Sequence, residues 1–163
     1  KDLKSGWDSS GNDCHIETDM ELLLPDSYIS SIPERMRLYS EIDLISKVEE
    51  LEKFQQKLKD RFGAIPPQVD ELLNVVRLKW NAVSLGIEKV VLKNGMLIAY
   101  FISNQLSPFY RSNVFSEIIN AIKMNQNIFQ LKETNERLSL IAKNIKNVDK
   151  ALEVLQHLSP SSR

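Results

Sequence analysis

Residues 60–101 read DRFGAIPPQVDELLNVVRLKWNAVSLGIEKVVLKNGMLIAYF, and the punctuation inside this stretch decides the fold. Arg61-Phe62-Gly63 has the form of a helix C-terminus. Pro66-Pro67 opens the next helix, because the first helical positions need no intrahelical N–H donor. Val69, Leu72, Leu73, Val76, Trp80 and Val83 share one helical face, and Gly86 closes the segment. Ile87 to Lys93 and Met96 to Ile102 then flank Asn94-Gly95. Both central residues of such a tight turn need positive φ, which makes this dipeptide a strong hairpin signal. Nothing in the stretch offers a nucleophile or a phosphate cradle, so it reads as scaffold.

Upstream, Ile16, Thr18, Met20, Leu22 and Leu24 alternate with polar and acidic residues, which predicts a half-buried strand ended by Pro25-Asp26. Ser31 with Glu34 forms a capping box for a helix whose stripe is Ile32, Met36, Tyr39 and Ile42. Ser46 with Glu49 repeats the device and launches a helix from Lys47 to Phe62, with Leu51, Phe54, Leu58 and Phe62 inward. Downstream, residues 104–112 form an irregular connector containing Pro108, Phe109 and Tyr110. Tyr100 and Phe101 belong to the core, whereas Phe109 and Tyr110 fit either the core or an exposed apolar patch.

Asn113 caps a helix reaching Asn125, with Phe115, Ile118, Ile119 and Ile122 buried. Ile128 to Lys132 and Arg137 to Ala142 alternate around a polar turn as a second hairpin. Asn147 caps the last helix, with Val148, Leu152, Leu155 and Leu158 inward, and Pro160-Ser161-Ser162 ends ordered structure. Helices and strands come in clusters rather than in strict alternation. The fold class is therefore α+β: a single domain, its mostly antiparallel sheet built from two hairpin-type strand pairs and packed by about five helices. Residues 1–14 read as a linker or disordered tail, 15–158 as the domain and 159–163 as a tail. Trp7, isolated in the polar tail, is expected to pack on a neighbouring domain or another molecule.

At 163 residues the chain is long enough to bury a core. A net charge of −1 gives no bulk attraction to nucleic acid or membrane. The one cysteine, Cys14, cannot form an internal disulfide, which fits a reducing cytoplasm. No apolar run is long enough to span a bilayer and no signal peptide is visible, so the expectation is cytoplasmic with no membrane partner. The first residue is Lys1 rather than Met, which reads as a fragment of something longer.

Chemistry-bearing motifs are few. There is no GxxxxGK[ST] loop and no GxGxxG fingerprint, so the chain lacks a nucleotide cradle. Asp13-Cys14-His15 has adjacent donors without a second cluster, a poor match to metal-site spacing. His157 suits the last turn of a helix, where the dipole favours it. Glu17, Asp19 and Glu21 share one strand face, either as a solvated edge or as an acidic patch for a basic surface. Lys53, Lys57, Lys59 and Arg61, with Arg77 and Lys79, form a basic cluster diluted by Glu49, Glu50 and Glu52 and without stacking aromatics.

The composite of DRFG at 60–63, the proline-led LLN helix at 72–74 and LGI at 85–87 resembles the C-terminal domain of bacterial transcription-repair coupling factors. Residues 15–19 (HIETD), 21–29 (ELLLPDSYI) and 34–39 (ERMRLY) extend the likeness upstream, and it continues to about Leu158. That resemblance implies a parent protein that is an ATP-dependent DNA translocase, with ATP and Mg in its motor, which displaces stalled RNA polymerase and recruits nucleotide excision repair. It implies that this domain is not an enzyme, holds no cofactor and acts by autoinhibition. In the family it packs on the N-terminal module of the same protein and masks the surface that recruits the damage-recognition ATPase UvrA. Asp60 matches an acidic contact position of the family, while Lys57 stands where a second acid is expected. Lys57, Asp60 and Arg61 are thus the candidate interdomain residues. The alternative reading is a nucleic-acid-binding accessory domain of a helicase.

Overall fold

In the computed structural model, residues 7–159 are described. The first part of the expected tail, residues 1–6, and the stop at Pro160-Ser161-Ser162 lie outside them. The strands are His15–Thr18 (β1), Ile87–Lys93 (β2), Met96–Phe101 (β3), Phe129–Thr134 (β4) and Arg137–Lys143 (β5). The α-helices are Ile32–Leu44 (α1), Val48–Phe62 (α2), Pro67–Ser84 (α3), Asn113–Met124 (α4) and Val148–Gln156 (α5). The strands form one sheet in the order β1-β2-β3-β5-β4, with only β1 and β2 parallel. The architecture is α+β with a mostly antiparallel sheet, as the clustering of elements predicts. No helix among the described residues is long and apolar enough to cross a membrane.

Two compact units divide this fold: Glu21–Val76, and the residues on either side of it. In the sheet unit the first hairpin forms as its turn chemistry requires, with φ of 55° at Asn94 and 71° at Gly95. The second hairpin turns at Asn135 and Glu136, also at positive φ (51° and 61°). β4 begins one residue and ends two residues later than the alternation suggests, whereas β5 begins at Arg137 as expected and ends one residue later. Val90, Leu97, Ala99 and Leu140 fill one face of the sheet and are fully buried.

The connector is more ordered than its composition suggests. Pro108–Arg111 is a short 3-10 helix started by Ser107, whose hydroxyl accepts from the Phe109 N–H. Phe109 is fully buried, its ring 6.1 Å from Phe101, 5.3 Å from Phe115 and 5.1 Å from Tyr110. Trp7 packs on the same ring at 4.8 Å, so its partner lies in its own unit rather than in a neighbouring domain or molecule. Gly86 turns the chain into β2 with φ of 71°, and a Cβ at that position would overlap the Phe109 ring.

Several local expectations are corrected. β1 has four residues rather than nine. The Thr18 hydroxyl accepts from the Met20 N–H and Asp19 Oδ2 accepts from the Asn94 N–H, which turns the chain off the sheet. Ser112, not Asn113, caps α4, its Oγ accepting from the Phe115 N–H at 3.2 Å. Within α4 the buried residues are Ile118, Ala121 and Ile122, with Phe115 and Ile119 only half-buried. Asn147 does cap α5, through Lys150 N–H at 2.7 Å, with Leu152, Leu155 and Leu158 buried.

In the helical unit, Ser31 caps α1 as expected, accepting from the Glu34 N–H. The expected stripe holds only in its second half: Ile42 is buried and Tyr39 half-buried, whereas Ile32 and Met36 are exposed and Leu38 is buried in their stead. Before α2, Ser46 donates its N–H to the Glu50 carboxylate, and Lys47 occupies the cap position without a side-chain bond. Leu51, Phe54 and Leu58 face inward as predicted, while Phe62 is half-buried 5.8 Å from the Tyr28 ring. Gly63 ends α2 at positive φ (91°) but with ψ of −168°, so it is not the helical left-handed cap. The Tyr28 hydroxyl donates to its carbonyl at 2.8 Å.

Candidate interaction face of the helical unit

The surface holding Lys57, Asp60 and Arg61 is built by α1 and α2. Only residues 45–47 separate them, so they run back along one another as a helical hairpin. Burial of Leu51, Phe54 and Leu58 fixes the rotation of α2. Lys57 and Arg61, four residues apart, then share one flank of the helix. Asp60, two positions beyond Leu58 and nine beyond Leu51, lies opposite the buried stripe and is exposed.

The flank bearing Lys57 and Arg61 meets carboxylates from α1. Lys57 Nζ donates to Glu41 Oε1 and Oε2 at 2.5 and 2.6 Å. Arg61 grips Glu34 with both terminal nitrogens, at 3.2 and 3.1 Å, and Arg37 adds a third donor at 3.0 Å. The Arg61 hydrogen bonds, then those from Arg37, hold the Glu34 carboxyl below the usual carboxylate range. The same pairing raises the Arg61 guanidinium. Guanidinium also lies over the Phe62 ring, 4.9 Å from its centre.

Asp60 is differently placed. Its Oδ1 accepts from Gln56 Nε2 at 3.0 Å, a neutral donor one turn back. The pair with Lys57 that i−3 spacing suggests does not form, because Lys57 is held by Glu41. Of the three predicted residues, the structure therefore joins Lys57 and Arg61 in one ion-pair seam and leaves Asp60 facing outward. Sequence reasoning missed Glu34, Arg37 and Glu41. Their spacing of 3 and 4 along α1 was the available signal, since it places all three on one flank.

Beside the seam lies an open groove of about 380 Å³ lined by Glu41, Leu44, Ile45, Lys53, Phe54 and Lys57, together with Glu50. Leu44 is 79% exposed at its rim. The Glu50 carboxyl is held low chiefly by the Ser46 N–H. The groove thus pairs an apolar floor with charged walls, a surface suited to contact with another protein element.

The other candidates resolve elsewhere. Glu17 is engaged by Lys89 at 2.8 Å and Lys93 at 3.4 Å, while Asp19 and Glu21 lie beyond the end of β1, so the three acids do not share a strand face. No group of three or more His, Cys, Asp and Glu side chains among the described residues is arranged to hold a metal ion. Cys14 is buried, and burial, only partly offset by Lys79, pushes its thiol up to about 12. A thiol so raised is protonated at neutral pH and a poor nucleophile. His157 stands at the C-cap of α5, one position beyond the last turn in which the dipole argument places it.

Comparison with known proteins places this geometry. The family model described as "TRCF domain" matches residues 18–112. A transcription-repair-coupling factor of Escherichia coli (strain K12) is 33% identical over 112 residues, covering 65% of this chain and 10% of that protein. One from Rickettsia prowazekii (strain Madrid E) is 27% identical over 134 residues, covering 80% of this chain and 11% of its own length. The chain thus spans about a tenth of these curated relatives. Among solved structures, a crystal structure of the C-terminal domain of a transcription-repair coupling factor shares the fold, with a TM-score of 0.72, 22% identity and 92% of each chain covered.

Proposed function

The chain belongs to the TRCF domain family, and on that premise we propose that it is the C-terminal regulatory domain of a transcription-repair coupling factor. Its parent is a DNA-translocating ATPase that acts on stalled RNA polymerase and brings in excision repair. This domain is a removable clamp without catalytic residues or a cofactor of its own. It packs on the N-terminal repair-protein-binding module of the same protein and masks the surface that recruits UvrA. Residues 15–158 form the clamp.

One observation carries the reading. Asp60 is an exposed acid near a helix C-terminus, where the dipole opposes it, and its hydrogen-bond partner is neutral Gln56. Lys57 and Arg61 are committed to α1 carboxylates. An acid so placed does little for its own fold and is available to a basic residue of another module. Tethering within one chain raises the effective concentration to millimolar order, so a weak polar contact suffices and remains releasable.

The test is a titration of this chain with the purified N-terminal module. Asp60→Arg replaces attraction with repulsion and weakens binding roughly tenfold, about 1.4 kcal/mol, with an unchanged melting temperature. In the full-length parent the same change increases UvrA recruitment. Equal affinity for both forms removes Asp60 from the interface.

A further inference from the structure

We propose that the half-buried face of the sheet is a docking surface for an acidic amphipathic helix of a partner protein. This goes beyond the clamp reading, uses different residues and does not depend on it. Strand register sets the face. Val91, Ile98 and Ile141 stand in one row across β2, β3 and β5, with Glu17 and Gln130 at its ends. Two residues away on either side are the rows Lys89-Tyr100-Ser139-Lys132 and Lys93-Met96-Lys143. Side chains alternate along a strand, so these rows share one face while Val90, Leu97, Ala99 and Leu140 occupy the other. The second set is fully buried, whereas on the first face Ser139 is buried but Val91, Met96, Ile98, Tyr100 and Ile141 are only half-buried.

The face has an aliphatic centre and a basic rim. Lys89, Lys93, Lys132, Arg137 and Lys143 surround it, and the carboxylates that reach it, Glu17 and Glu88, are engaged by Lys89, Lys93 and Arg137. Among the described residues no carboxylate lies within ion-pair distance of Lys132 or Lys143. Charge selects the occupant. A second copy laid face to face would oppose its own cations, and a basic helix is repelled likewise. Single-stranded nucleic acid needs open aromatic platforms. The aromatic of the three rows, Tyr100, already lies under the Arg137 guanidinium at 5.3 Å, and its partners across the sheet are Lys89 and Ser139, so no second ring extends the platform. A helix with an apolar stripe over Val91, Ile98 and Ile141 and flanking acids at Lys132 and Lys143 satisfies both features.

The experiment titrates this chain with a labelled synthetic helix carrying a leucine stripe flanked by glutamates. The same helix with lysines for the glutamates, and a labelled oligo-dT strand, run alongside. The acidic helix binds at least about tenfold more tightly than the basic one, and Lys132→Glu with Lys143→Glu removes roughly that advantage without lowering the melting temperature. Methyl resonances of Val91, Ile98 and Ile141 shift on binding. Equal or absent binding of the two helices, shifts confined to other residues, or tighter binding of oligo-dT lost in the same variant overturns the proposal.

Discussion

The sheet unit and the helical unit both bury apolar side chains, but they differ in the contacts that surround them. In the sheet unit, Trp7, Phe101, Phe109, Tyr110 and Phe115 interlock ring to ring beneath a glycine that leaves no room for a methyl group. In the helical unit, the buried Leu38, Ile42, Leu51, Phe54 and Leu58 are flanked at the rim by exposed ion pairs, and Ile32, Met36 and Leu44 stay exposed. The first arrangement is intolerant of volume change, because close-packed rings have nowhere to go. The second tolerates exchange of partners, because a surface carboxylate can leave one cation for another at small cost. Interaction surfaces are expected where contacts are replaceable, and Asp60 lies there.

The contrast breaks first at Gly86. Gly86→Ala combines positive φ with a clash against Phe109, and the two penalties together come to about 2–5 kcal/mol. Urea unfolding of the variant reads this directly. A loss below about 1 kcal/mol would mean that the Phe109 ring can move aside and that the aromatic cluster is softer than its packing implies.

A smaller effect of opposite sign separates the two hairpins. Both turn through a pair of positive-φ residues, but the second places Glu136 where the first places Gly95. Glu136→Gly relieves a left-handed side chain at some cost in unfolded-state entropy, for a net gain of about 0.5–1 kcal/mol. A fall in melting temperature would show that Glu136 contributes more than its turn conformation costs.

The smallest effect lies in the helical unit and depends on pH. Glu34 is held below its ordinary value of 4.5, first by Arg61 and then by Arg37. A depressed carboxyl contributes stability above its unfolded value, and that contribution is lost as pH falls through the folded one. Glu34→Gln should therefore melt slightly below the parent chain at neutral pH, and the gap should close below about pH 4.5. A gap that persists in acid would mean that the side chain acts by packing rather than by charge.

These elements also show what the amino-acid order makes legible. Asn94-Gly95 announces its turn because glycine is the residue that geometry favours, whereas Asn135-Glu136 adopts the same turn with no such marker, so only a polar turn is readable there. The first half of the α1 stripe is misread because apolar residues lie on both sides of that helix. Ile42 fits the period of Ile32 and Met36 as well as that of Leu38, and only tertiary contact chooses which end of the stripe is buried. β1 stops early because Thr18 and Asp19 bond locally and to the distant Asn94, a competition that alternation cannot reveal. At the candidate site the charged residue types were readable but their pairing was not. Lys57 finds Glu41 and Arg61 finds Glu34 across a helical hairpin, so the local pair between Lys57 and Asp60 never forms.

The parallel pairing of β1 with β2 has a consequence for the order of assembly. His15 lies opposite Lys89, and the whole helical unit is strung on the chain between them. During synthesis β1 emerges first but has no strand to join until the α1–α3 region has followed and β2 has appeared. The helical unit can form meanwhile, since its ion pairs and helix contacts are all closer in sequence. Closing so long a loop costs only slightly more than closing one half its length, so the wait is kinetic rather than energetic. Until it ends, the bare edge of β1 stays short and carries His15 and Glu17, a poor template for wrong pairing.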